Sequence, residues 1–181
     1  MSRAGIEQLL YVIDEAFEGN DEHSLRANLR SLHDGDWGSA AAGGKRTVFE
    51  IAQHVGECKF MYENHAFGDG SMHWSAPDNV PSVERDASAE DVIAWLREGH
   101  RTLRASIEAL RDDAELVRPR KANWGTDYET RWLINVMVQH DLYDAGEINH
   151  LRALRQGNDE WAHPLPLSVR RRGEHELGRE R

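Results

Sequence analysis

Between Trp132 and Leu154 the chain reads WLINVMVQHDLYDAGEINHLRAL, and steps of four and three pass through Leu133, Met137, His140, Asp144, Glu147, Leu151 and Leu154. Residues so spaced share one face of an α-helix, the face that packs against partner helices. The two ends of that face are apolar. Its middle is three ionisable side chains in succession. Burying such groups without partners costs several kcal/mol each, so the pattern demands partners inside the fold. A metal ion held within a helix bundle satisfies all three. The bland alternative is a buried hydrogen-bonded cluster without metal, His140 donating to Asp144 or Glu147.

The remaining periodicity supplies the helices for such a bundle. Ile6, Leu9, Leu10, Ile13 and Phe17 recur at helical spacing and Gly19-Asn20 is a stop, which predicts a helix over 5–18. A short piece follows from Ser24 to Leu32, then a loop rich in Gly and small residues whose Trp37 is expected to plug the bundle. Thr47-x-x-Glu50 is a capping box opening a second long helix to about Phe67, with Ile51, His54, Cys58, Met61 and His65 on its inward seam. Residues 69–87 hold two prolines and no period, as a long crossover loop would. Ser88-x-x-Asp91 caps a third helix to about Arg111, with Val92, Leu96, Leu103, Ile107 and Leu110 inward, and Pro119 prevents its continuation. Thr126-x-x-Glu129 reads as the cap of the last helix, which stops at Gly157. No strand-like alternation is evident. Four principal helices and one long loop predict an all-α fold, a bundle over residues 1–162, followed by a charged flexible tail at 163–181.

Composition narrows the function classes. The formal charge of −10 over 181 residues argues against nucleic acid, which needs a basic face, and equally against a membrane surface. No apolar run approaches the roughly 20 residues needed to span a bilayer, and no signal peptide is expected. A lone cysteine, Cys58, excludes an internal disulfide and suits the cytoplasm. The expected partners are a small-molecule substrate and a second copy of the chain, since helical bundles of this size commonly pair through helix faces.

His140 and Asp144 lie one helical turn apart and can converge on one ion, and His54 on a facing helix is the natural third donor. Imidazole plus carboxylate suits Zn²⁺, Ni²⁺ or Fe²⁺, with Zn²⁺ favoured, and three protein ligands leave positions open for water or substrate. Glu147, three residues beyond Asp144, is placed to orient a ligand or accept a proton as a catalytic residue. Glu147-x-x-His150 matches half of a di-iron motif, but the chain has no second Glu-x-x-His in a comparable helix, and that reading is rejected. Cys58, one turn after His54, could reach the metal, but as a single small residue on an apolar seam it reads as core; His65 reads as lining the site entrance or meeting helix-end carbonyls; His73, His100 and His163 read as surface.

These residues resemble the DinB/YfiT-like superfamily. The likeness rests on His140-Asp-Leu-Tyr-Asp144-Ala-Gly-Glu-Ile, on Ala-Gln-His54-Val-Gly, and on the tryptophan-bearing loop before the latter, and it spans roughly residues 5–160. It implies an up-down-down-up four-helix bundle holding a divalent metal through one histidine of the second helix and a His-x-x-x-His pair of the last. Asp144 stands where the second histidine of that pair is expected, so the implied set becomes His54, His140 and Asp144, with Glu147 available to step in. The resemblance also implies a thiol S-transferase or a hydrolase acting on small electrophiles, with mycothiol, bacillithiol or glutathione as the thiol. Nineteen Arg against three Lys is a bias of GC-rich genomes and leans toward mycothiol. The alternative is a non-catalytic dimeric bundle with a degenerate site, serving small-molecule binding or stress response.

Overall fold

The structure is a computed structural model that describes residues 2–76 and 79–159. It is mostly helical: α1 (Ala4–Asp14), α2 (Leu25–Arg30), α3 (Val48–Ala66), α4 (Ala89–Glu108) and α5 (Thr130–Gln156). A π-helical turn, Glu15–Gly19, extends α1 and turns Phe17 fully into the core. The caps at Thr47 and Ser88 form as the sequence predicts, each with the reciprocal bonds of a capping box. Gly157 ends α5 in the left-handed region at φ 70°, and its N–H donates to the Ala153 carbonyl. No helix among the described residues is long and apolar enough to cross a membrane. The predicted tail and His163 lie outside the described residues.

Two expectations are corrected between α4 and α5. The all-α reading omits a small antiparallel hairpin, β1 (Pro119–Lys121) with β2 (Asp127–Glu129), in which Arg120 faces Tyr128. Gly125, at φ +88°, supplies the left-handed turn residue between the strands. Thr126-x-x-Glu129 therefore does not cap a helix. α5 begins at Thr130 without a side-chain cap, and the Thr130 hydroxyl instead donates to the Arg118 carbonyl at 2.9 Å. A three-residue strand is too short for alternation to register above noise.

The apolar interior divides into two clusters. One gathers Ile6, Ile13, Cys58, Tyr62, Leu103, Ile107, Ile134 and Met137; the other gathers Phe17, Ile51, Val55, Val92, Leu96, Ala145 and Ile148. Trp37 packs against the second cluster as expected. Between them, His54 and Lys59 of α3, His100 of α4, and His140, Asp141 and Asp144 of α5 form a polar layer across the core. His100 belongs to this layer rather than to the surface. It is 5% exposed, stacks on Phe17 at 4.3 Å between centroids, and its Nε2 lies 2.9 Å from Asp14 Oδ1. A histidine one turn from Leu96 and Leu103 was on the apolar side of α4 all along; its acceptor on α1 is far away in sequence.

Close approach of α3 and α4 depends on Gly56. A Cβ there would lie 2.2 Å from Trp95 Cη2. Gly56→Ala is expected to lower stability by about 1–3 kcal/mol in denaturant titration, because the indole must move out of a packed site. His100 makes a pH prediction. Burial, reinforced by the Lys59 charge, depresses it from 6.5 to about 4, and Asp14 offsets this only in part. Protonation would also place a second N–H on Nδ1, which is buried without a partner among the described residues. The folded state thus binds the proton less well than the unfolded chain, so this stabilising contribution is full above pH 6.5 and is lost as pH falls toward 4. Replacing His100 by Gln should reduce the stability lost between pH 7 and 5 by on the order of 1–2 kcal/mol, read from paired chemical melts.

Candidate metal centre

The buried stripe of α5 keeps Leu133, Met137, Asp144 and Leu151 of the predicted seam and widens to one side of it through Ile134, Val138, Asp141, Ala145, Ile148 and Arg152, so its centre is rotated from that seam. His140 and Glu147 therefore sit at its edge, half-buried, and Leu154 is 61% exposed rather than inward. The rotation has a physical cause. Asp141 is fully buried because Lys59 of α3, also fully buried, places Nζ 2.7 Å from its Oδ2. Lys59 Nζ further lies 4.9 Å from the centroid of Phe17. A charge can occupy the centre of the stripe only because this partner meets it there.

At the edge of the stripe, α3 and α5 bring two histidines together. The rings of His54 and His140 are edge-on with centroids 5.9 Å apart. Cys58, one turn beyond His54, points its sulfur at the same space, 3.6 Å from His54 Nε2 and 3.9 Å from Nδ1. One donor atom each from His54, Cys58 and His140 all lie within 4.8 Å of one another. Trp74 of the crossover loop stacks at 6.2 Å on His54, and Tyr62 meets His140 edge-on at 5.8 Å. A cavity of about 610 Å³ opens beside them, lined by Arg46, His54, Gln139, His140, Leu142, Tyr143 and Asp144.

The donor set suits a transition metal. Burial lowers the His54 pKa, with the Arg46 charge adding to the effect, and it pushes His140 down to about 4, aided by His54 and Lys59. Both imidazoles are therefore neutral at pH 7, the form that binds metal. His140 Nδ1 is buried with no hydrogen-bond partner among the described residues. The Cys58 thiol is pushed up to about 12, chiefly by burial and then by the Asp144 charge, so it stays protonated without a cation beside it. Two nitrogens and one sulfur at this spacing are within reach of one Zn²⁺, whose bonds are about 2.0–2.3 Å.

Asp144 is not in this group. It is nearly buried, and its Oδ1 faces the guanidinium of Arg46 at 3.6 Å. Glu147 accepts a hydrogen bond from the same guanidinium at 3.2 Å. Burial pushes the Asp144 carboxyl up to about 6 although Arg46 pulls it down. Its Oδ2 has no partner among the described residues. His65 stands at neither expected place: its Nε2 lies 2.6 Å from the Met72 carbonyl, tying α3 to the crossover loop.

A sequence profile of the DinB superfamily matches residues 20–148. The chain belongs to the DinB superfamily. That match contains α2 through most of α5, including His54, Cys58, His140, Asp144 and Glu147, and leaves α1 outside it. The fold is similar to the crystal structure of a DinB-like protein from Bacillus cereus, with a TM-score of 0.59 and 16% identity over 85% of this chain and 92% of that one. At that identity the likeness is one of fold. No curated protein matches the chain.

Within this DinB superfamily chain, sequence reasoning missed three residues of the site's surroundings. Lys59 and Asp141 carried a readable signal, each a charge at helical spacing within an apolar stripe, but their pairing joins residues 82 apart. Arg46 sits in a Gly-rich loop and had no periodicity to announce it. Arg131 and Arg152, two cations of α5 itself, lie elsewhere: Arg131 pairs with Glu129 at 2.6 Å, and Arg152 is buried against Ser31. Lys59→Met strands Asp141 and is expected to cost about 3–5 kcal/mol. Lys59→Met with Asp141→Leu should recover most of that loss, a coupling that a double-mutant cycle in denaturant would measure.

Proposed function

We propose that this chain is a metal-dependent enzyme of the DinB superfamily that transfers a low-molecular-weight thiol to small electrophiles. The observation that carries this reading is the juxtaposition of neutral His54 and His140 beside a cavity of about 610 Å³. In this reading the chain is an up-down-down-up four-helix bundle of α1, α3, α4 and α5. Its support is that α1 and α5 meet the two apolar clusters in one order along the chain, whereas α3 and α4 meet them in the other. The protein works in the cytoplasm, where its buried Cys58 stays reduced, and as a homodimer.

His54 and His140 hold the ion, with Zn²⁺ favoured over Ni²⁺ or Fe²⁺ for its affinity toward mixed nitrogen and sulfur or oxygen donors. When bound, a divalent metal lowers the pKa of a thiol or water so that the anion is available as a nucleophile near neutral pH. The protein's own part is positioning. Asp144 and Glu147 hold Arg46 at the cavity wall, and Arg46 takes a carboxylate of the thiol or of the substrate. Glu147, with its side chain 34% exposed, is the group at the cavity margin able to accept a proton once Arg46 turns to a ligand. Leu142 and Tyr143 supply the apolar wall for the electrophile.

The pairing of Asp144 with Arg46 favours a second reading, a small-molecule-binding protein whose centre is degenerate. Metal content by plasma mass spectrometry, measured on untagged protein beside His140→Ala, separates the two. The enzyme reading expects near-stoichiometric metal in the wild type, lost in the variant. Transfer of mycothiol or glutathione to a chromogenic electrophile should also fall at least about 100-fold in His54→Ala and His140→Ala. Metal-free protein after incubation with Zn²⁺, Ni²⁺ and Fe²⁺ would leave the binding-protein reading standing.

A further inference from the structure

We propose that Cys58, rather than Asp144, is the third protein ligand of the centre, so that the ion is held by His54, Cys58 and His140. This rests on the reading above that the site holds a metal, and it names the donor set. Three observations carry it. The sulfur and one nitrogen from each ring lie within 4.8 Å of one another, and among the described residues that is the group of His, Cys, Asp and Glu side chains so assembled. Cys58 follows His54 by one turn of the same helix, so a rigid backbone aims both donors at one point. Asp144 occupies the position one turn beyond His140, but its carboxylate faces Arg46, which also engages Glu147. Moving Asp144 onto the ion would abandon that pair and leave Arg46 to Glu147 alone.

The chemistry follows from the sulfur. On binding, the Cys58 S–H bond breaks, a sulfur–metal bond forms, and the proton passes to solvent. Two neutral imidazoles and one thiolate leave a divalent centre with a net charge of +1. A soft thiolate selects Zn²⁺, Co²⁺ or Fe²⁺ over Mg²⁺, Mn²⁺ or Ca²⁺, which an Asp-containing set would tolerate better. Asp144 is thereby released from ligation, and its buried Oδ2 on the cavity wall, without a hydrogen-bond partner among the described residues, becomes an acceptor for a donor group of the substrate.

The test is a Co²⁺ titration of the metal-free full chain, followed in the ultraviolet and visible, with proton release recorded in weak buffer. The wild type should develop the near-ultraviolet sulfur-to-cobalt charge-transfer band and release about one thiol proton per ion. Asp144→Asn should keep the band and bind within a few-fold of wild type. Cys58→Ser should lose the band and bind at least about 10-fold more weakly. Circular dichroism shows whether that variant folds; if it does not, the wild-type and Asp144→Asn spectra decide alone. Cobalt bound without the band, with affinity lost in Asp144→Asn, would overturn the assignment of Cys58 and leave a metal centre standing. No cobalt binding at all would overturn the centre with it. The band without any thiol transfer would support Cys58 while overturning the proposed activity.

Discussion

The Lys59–Asp141 ion pair is the interaction on which the rest of the arrangement depends. Both side chains are fully buried and 2.7 Å apart, one from α3 and one from α5. Such a pair adds little net stability over an apolar substitute, since desolvation offsets most of the Coulombic gain. Its effect is on geometry. Because a buried charge tolerates only its partner, the pair sets how α5 is rotated about its axis and how far it is slid along α3. Asp141 neighbours His140, and Lys59 neighbours Cys58. The rotation that buries the pair carries the adjacent imidazole to the stripe's edge beside an open cavity, where the buried Cys58 thiol of α3 comes within reach of it.

The same logic extends across the molecule. The two apolar clusters are separated by a layer in which His100 meets Asp14, Lys59 meets Asp141, and His54 meets Cys58 and His140. Every long helix contributes at least one member. Polar groups in such a layer must be matched in height, because each left unpaired costs a desolvation penalty of about 1–3 kcal/mol. A layer of this kind specifies register in a helical protein whose apolar contacts alone would tolerate sliding. Arg46 closes it on the cavity side, answering two carboxylates of α5 from the loop before α3.

Much of the fold was legible because helices announce themselves locally. The capping boxes at Thr47 and Ser88, the stop at Gly157, and the inward faces of α3 and α4 all depend on residues within a few positions of one another. The hairpin before α5 failed that test, as did Thr126-x-x-Glu129, because a motif spanning four residues reports on propensity and the Arg118 carbonyl outcompeted it. His54 and His140 were legible as a pair. Cys58 was legible as a residue within reach of them, but a single small residue on an apolar seam looks the same whether it packs or ligates. His100 was misplaced for the converse reason: its acceptor, Asp14, is 86 residues away.

By itself, then, the sequence determined the helices, their apolar faces and the identity of the ionisable groups that had to be accommodated inside. Those properties follow from spacing and side-chain chemistry, which any segment carries with it. Only the tertiary structure decided which charge met which. The axial rotation of α5, the capture of Asp144 by Arg46 and the approach of Cys58 to the two histidines each depend on contacts between distant segments. A helix can offer several faces of similar polarity, and the choice among them is made by the partner that buries one.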